Sequence, residues 1–155
     1  MGIFGKKDTG PMGEVDQARV VEAIRQAESR SSGEIRVFME KHCRYMEALD
    51  RAREVFRELG MDQTAQRNAV LIYIAWKDHQ FALYGDEQVF SLSGGPGFWK
   101  ESASVLQDYL SRGQMAEGLV ACIGELGNVL ARYFPYDPRF PRNELPDEIV
   151  FGPHG

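Results

Sequence analysis

Cysteine is scarce in this chain, with Cys43 and Cys122 the only two among 155 residues. Two cysteines cannot build the disulfide framework of a small secreted domain, and no CxxC pair is present to hold zinc. Both read as small core residues, Cys43 at the end of a strand and Cys122 inside a helix. Long apolar runs are missing too: no stretch approaches the ~20 residues that cross a bilayer as a helix. The opening Met1-Gly2-Ile3-Phe4-Gly5-Lys6-Lys7 has no apolar region after its charges, so it does not read as a signal peptide. Gly2 does not read as a myristoylation site, because Lys6 stands where that motif needs Ser or Thr. These absences predict a soluble, cytoplasmic protein. Positive charge is in deficit, 18 Lys and Arg against 23 Asp and Glu, for a net charge of −5. With no basic stripe to counter that balance, nucleic acid is excluded as the expected partner. The chain also lacks GxSxG, HExxH, an EF-hand loop, a Walker A loop and a Rossmann fingerprint.

What the chain has is a buried hairpin. Ala69 to Trp76 is a continuous apolar, β-branched and aromatic run, the pattern of a strand covered on both faces. Lys77-Asp78-His79-Gln80 reads as the turn, and Phe81 to Tyr84 returns antiparallel. With Trp76 facing Phe81, Asp86 falls opposite Leu71, one to two rungs from Asn68 and Arg67. Around this hairpin the periodicity predicts a helix from an Asp16 N-cap to about Arg30 and a strand from Glu34 to Cys43. A second helix follows from Tyr45 to Leu59, with Met46, Leu49, Ala52, Val55, Phe56 and Leu59 as its apolar stripe. Past Asp86 comes a loop, with room for a short turn at Glu87 to Phe90. A third helix then opens at Phe98 or Trp99, and a fourth runs from Met115 to Tyr133. The tail holds five of the seven prolines, with a short strand possible at Glu148 to Phe151. A helix between two strands implies a right-handed crossover, so the first strand lies parallel beside the central one. The expected fold is α/β: a three-layer α/β/α sandwich with a small mixed sheet, a parallel pair plus the antiparallel hairpin, covered by about four helices. Residues 1–13 read as a disordered leader, 14–150 as a single domain and 151–155 as a tail.

This topology gathers Glu34, Arg67, Asn68 and Asp86 at one edge of the sheet, where the parallel strands begin. Arg67 can grip a phosphate or carboxylate with two N–H groups. Glu34 and Asp86, joined by Asn143, Glu144, Asp147 and Glu148 of the tail, offer oxygen ligands suited to calcium or magnesium. Gly94-Gly95-Pro96-Gly97 leads straight into a helix N-terminus and could hold an anion. Each feature also has a plainer meaning: a salt bridge closing a sheet edge, solvated acids, an ordinary turn. Ligands of open α/β sheets ordinarily bind at the other end, the carboxyl ends of parallel strands. There the sequence gathers His42, Cys43, Asp78 and His79, either an exposed polar loop or a Cys–His nucleophile and base.

The ordered set of motifs resembles the TPM domain family. The segments that carry it are Ser32-Gly33-Glu34-Ile35-Arg36-Val37, Leu59-Gly60-Met61 with Thr64, Arg67-Asn68-Ala69-Val70-Leu71-Ile72-Tyr73 and Tyr84-Gly85-Asp86. They continue with Phe98-Trp99, Gly113 with Glu117-Gly118-Leu119, Phe134-Pro135, and Asn143-Glu144-Leu145-Pro146-Asp147-Glu148. The resemblance spans about residues 16–150 and implies an α/β/α sandwich. It implies calcium binding as in some bacterial members, with magnesium the alternative, and acid-phosphatase-like activity as in plant members. Metal ligands are then expected at Glu34, Asp86, Asn143, Glu144 and Asp147, and catalytic roles at Arg67 and Asp86. The expected partners are a divalent cation and either a phosphate-bearing small molecule or a protein in a repair or assembly complex, the chain itself being a monomer. A protein-interaction domain with no chemistry is the competing expectation.

Overall fold

A computed structural model describes residues 11–92, 100–140 and 148–152. Expectations for residues 1–10, Gly94 to Gly97, Phe98, Trp99, Asn143, Glu144, Asp147 and 153–155 therefore lie outside the described residues.

The sheet has four strands in the order β3-β2-β1-β4. Strand β1 (Glu34–Glu40) runs parallel to β2 (Ala69–Ala75) with Glu34 opposite Ala69. Strand β3 (Gln80–Gly85) returns antiparallel on β2, and β4 (Ile149–Phe151) lies parallel on the other side of β1, with Val37 opposite Ile149. The hairpin register differs from the expected one by two residues. Ala75, not Trp76, is the last residue of β2, it faces Gln80, and the turn is Trp76 to His79. Asp86 accordingly reaches Ala69 rather than Leu71, its N–H donating to the Ala69 carbonyl at 3.0 Å. A two-residue shift preserves which face each side chain uses, so the layer assignment survives it. His79 takes a left-handed backbone with φ of 55° to close the four-residue loop.

Five α-helices cover the two faces among the described residues: α1 (Glu14–Glu28), α2 (Ala48–Glu58), α3 (Glu87–Leu92), α4 (Lys100–Ser111) and α5 (Met115–Tyr133). Alternation in β1 sends Ile35, Val37 and Met39 to one face, where they meet Val70, Ile72 and Ile74 of β2. Val20 and Ile24 of α1 and Leu119, Ile123 and Leu126 of α5 complete that core. Phe38, Leu71 and Tyr73 point to the other face, against Ala52, Val55 and Phe56 of α2. Every residue of β2 is buried, as a strand packed on both sides requires.

Boundaries moved in four places, and one is the first strand, which ends at Glu40 and leaves Cys43 in the loop beyond it. The first helix begins at Glu14 behind Gly13, so Asp16 is not its N-cap; it sits in the first turn and pairs with Arg19 at 3.1 Å. The second helix starts at Ala48, leaving Met46 and Leu49 exposed rather than in the stripe. The turn expected at Glu87 to Phe90 is the helix α3.

Candidate functional site

The edge where β1 and β2 begin is built by backbone turns. Arg67 enters β2 through a left-handed conformation, φ 51°, after its N–H closes on the Thr64 carbonyl at 3.2 Å. That twist turns its carbonyl toward α3, where it accepts from the Gln88 N–H at 3.1 Å. Its guanidinium grips Asp86 with two N–H groups, Nε to Oδ2 at 2.7 Å and Nη2 to Oδ1 at 2.9 Å. Asp86 is buried, and Oδ1 also accepts from the Glu87 N–H at 2.8 Å. One arginine thus pins the corner between β3 and α3 by backbone and side chain together. The bond to Asp86, first among its causes, raises the Arg67 pKa further, so the charge is permanent. Asn68, fully buried, donates from Nδ2 to the Ser32 carbonyl at 3.1 Å and ties β2 to the turn before β1.

Glu34 belongs to a separate cluster. Its backbone lies opposite Ala69, and Asp86 pairs with Ala69 from the far side. The two acids therefore stand two strand spacings apart, roughly 9–10 Å along the sheet. Glu34 is 2% exposed and lines a small cleft with Arg25, Glu28, Ser32, Tyr136 and Asp137. Glu28 is buried as well, and its Oε2 accepts from the Ile35 N–H at 2.8 Å. Arg139 holds the Asp137 carboxyl below its usual range by hydrogen bonding. Phe140 lines the same cleft, and Glu148 approaches Arg36 of β1 at 3.9 Å.

The structure thus brings Arg67 and Asp86 into contact, as expected, and seats Glu34 at the same edge but apart from them. Among the described residues, no three His, Cys, Asp or Glu side chains converge on a point that could hold a metal. Asn143, Glu144 and Asp147 lie outside the described residues. Sequence reasoning missed Glu28 and Asp137. The first looks like an ordinary last-turn glutamate, and only its place beneath the start of β1 reveals the burial. At the opposite edge, the Cys43 thiol bonds to the Met46 carbonyl at 3.3 Å. His42 turns Nδ1 to Asp78 at 2.7 Å, so the contacts of the two side chains do not form a nucleophile and base.

The family profile described as the TPM domain matches residues 7–129. The solution structure of the BA42 protein from the psychrophilic bacterium Bizionia argentinensis is similar, with a TM-score of 0.85 and 37% identity over 94% of this chain and 99% of that one. The N-terminal domain of the cg2496 protein from Corynebacterium glutamicum shares the fold, with a TM-score of 0.63 and 15% identity over 77% of this chain and 74% of that one. No curated protein is matched by the chain.

Proposed function

Since this chain belongs to the TPM domain family, we propose that it is a divalent-cation-binding module whose ligand edge is the start of β1. The observation that supports this is a cleft lined by Glu34, Glu28 and Asp137, three carboxylates at one edge of the sheet that do not themselves converge on a point. Phe140 and Glu148, which flank the segment carrying Asn143, Glu144 and Asp147, both lie beside β1. A hard cation of the calcium type takes six to eight oxygen ligands, about that many carboxylate and carbonyl oxygens; magnesium, the alternative, demands a stricter octahedron. Glu34 is the first ligand in this reading, completed by Asn143, Glu144 and Asp147. Asp86, which accepts two N–H groups from Arg67 and lies two strand spacings from Glu34, is not a ligand in this reading. Calorimetry of the full chain with calcium should give saturable binding that Glu34→Gln abolishes and Asp86→Asn retains. Absence of binding at millimolar calcium overturns the reading.

Weak acid-phosphatase-like activity is the finer form of this proposal. The cation would orient a phosphate, and Arg67 would exchange Asp86 for the transferred group. Hydrolysis of an aryl phosphate should then fall with Arg67→Ala, whereas activity that survives both Arg67→Ala and Asp86→Asn belongs to a contaminant. The alternative, a non-catalytic protein-interaction domain, is favoured by the apolar side chains left outside: Tyr45 at 99% exposure, Leu49 at 50% and Phe90 at 47%. A partner that is retained by Glu34→Gln and lost with Leu49→Asp supports that alternative.

A further inference from the structure

The opposite edge of the sheet carries a second arrangement. Beyond β1 and β2 the two chains stay side by side, with the Trp76 N–H on the Glu40 carbonyl and the Lys77 N–H on the Lys41 carbonyl, both at 3.0 Å. Asp78 locks the end. Oδ1 lies 2.7 Å from His42 Nδ1, and Oδ2 accepts from the Cys43 N–H at 2.7 Å. An ionised carboxylate only accepts, so Nδ1 carries the hydrogen and Nε2 is left for other contacts. Between these loops and the start of α2 opens a cleft of about 600 Å³.

Four cationic side chains, Lys41, Arg44, Arg51 and Lys77, line this cleft against two carboxylates, Glu40 and Glu54. Glu58, 3.8 Å from Arg51, and Asp78, held by His42, offset part of this charge, and Lys41, Arg44 and Lys77 are the cations around the opening besides Arg51. Glu40 and Glu54 are already committed. Arg51 bonds Glu40 twice, Nε to Oε2 at 2.9 Å and Nη2 to Oε1 at 3.1 Å, and reaches Glu54 at 2.8 Å. The buried Tyr73 hydroxyl donates to Glu40 as well. With three hydrogen bonds on its two oxygens, Glu40 is a poor cation ligand and a fixed floor. Arg51 lies near the start of the eleven-residue α2, so that end of the helix borders the cleft. The place is also the carboxyl end of the parallel pair, where ligands of open α/β sheets ordinarily bind.

We propose that this cleft, framed by Lys41, His42, Arg44 and Lys77, is a binding site for a small oxyanion bearing two or more charges, of the phosphate or pyrophosphate kind. The overall negative charge works against a long polyanion and leaves a compact one. The site shares no residue with the cation reading and stands or falls separately from it.

The test is a ¹H–¹⁵N NMR titration of the full chain with inorganic phosphate and with pyrophosphate, at ionic strength matched with sodium chloride. Saturable shifts are expected at Lys41 to Arg44 and Trp76 to His79, with pyrophosphate the tighter. The double variant Arg44→Gln, Lys77→Met should weaken binding by about tenfold or more. Arg44→Lys keeps the charge and should bind nearly as the parent does. Arg67→Ala, at the other edge, should leave these shifts unchanged. Shifts that chloride reproduces, or a folded double variant that binds pyrophosphate as the parent does, overturn the proposal. So does saturation that is lost with Arg67→Ala but kept in the double variant.

Discussion

Arg67 does more for the fold than its exposed position in a loop suggests. Its side chain is 39% exposed, yet the carboxylate it holds is 5% exposed. Removing the guanidinium leaves Asp86 with only backbone partners, so Arg67→Ala should lower the midpoint of urea unfolding. Arg67→Lys should recover little of this, because an ammonium cannot supply two parallel N–H donors. Cys122 illustrates burial acting alone. Its thiol is pushed up to about 12, chiefly by desolvation and then by Glu125, so it should resist alkylation in the folded protein and react once unfolded. His79 pays for closing its turn with a left-handed backbone, and His79→Gly should gain about 0.5–1 kcal/mol.

At the scale of elements, two contacts decide how the layers meet. Gly127 of α5 lets α1 approach so closely that a β-carbon there would stand 2.8 Å from Ala27 Cβ and 2.6 Å from Arg30 Nη2. Arg30 can swing away but the helix backbone cannot, so Gly127→Ala should cost about 1–3 kcal/mol by thermal unfolding. The second contact is the Asp78 clamp between the hairpin turn and the loop after β1. Its carboxyl is held below the usual range, first by the bond to His42 and then by the Cys43 N–H. A lowered value in the folded state means that the ionised clamp stabilises fully above the ordinary carboxylate range and is lost as pH falls through the lowered value. Asp78→Asn should therefore be less stable than the parent at neutral pH, and the difference should shrink as pH falls below the ordinary carboxylate range in guanidinium titrations.

For the molecule as a whole, the layers were legible and the site only in part. The unbroken apolar run of β2 and the period-two β1 revealed the sheet and its two faces, because burial on both sides leaves no polar position. The 19 residues of α5 were read with the bounds they have. The register slipped because Trp76 is as strand-like as its neighbours, while its place in the turn follows from backbone pairing. Arg67 and Asp86 were rightly placed together, since the ends of a hairpin must meet. The separation of Asp86 from Glu34 follows from the strand order, since Ala69 of β2 stands between them. Glu28 and Asp137 escaped notice because tertiary packing alone buries the first and joins the second to the cleft.

One pairing bears on how the chain comes off the ribosome. Strand β4, the last in sequence, adds to β1, the first, and Pro135 bridges to Ser31. Vectorial synthesis therefore exposes the outer rim of β1 until more than a hundred further residues have been translated, and the sheet closes through a contact of long loop length. A nascent chain arrested before Ile149 clears the exit tunnel should remain open to protease around residues 34–40. A chain arrested well beyond that point should resist, and equal cleavage of the two would rule out late closure.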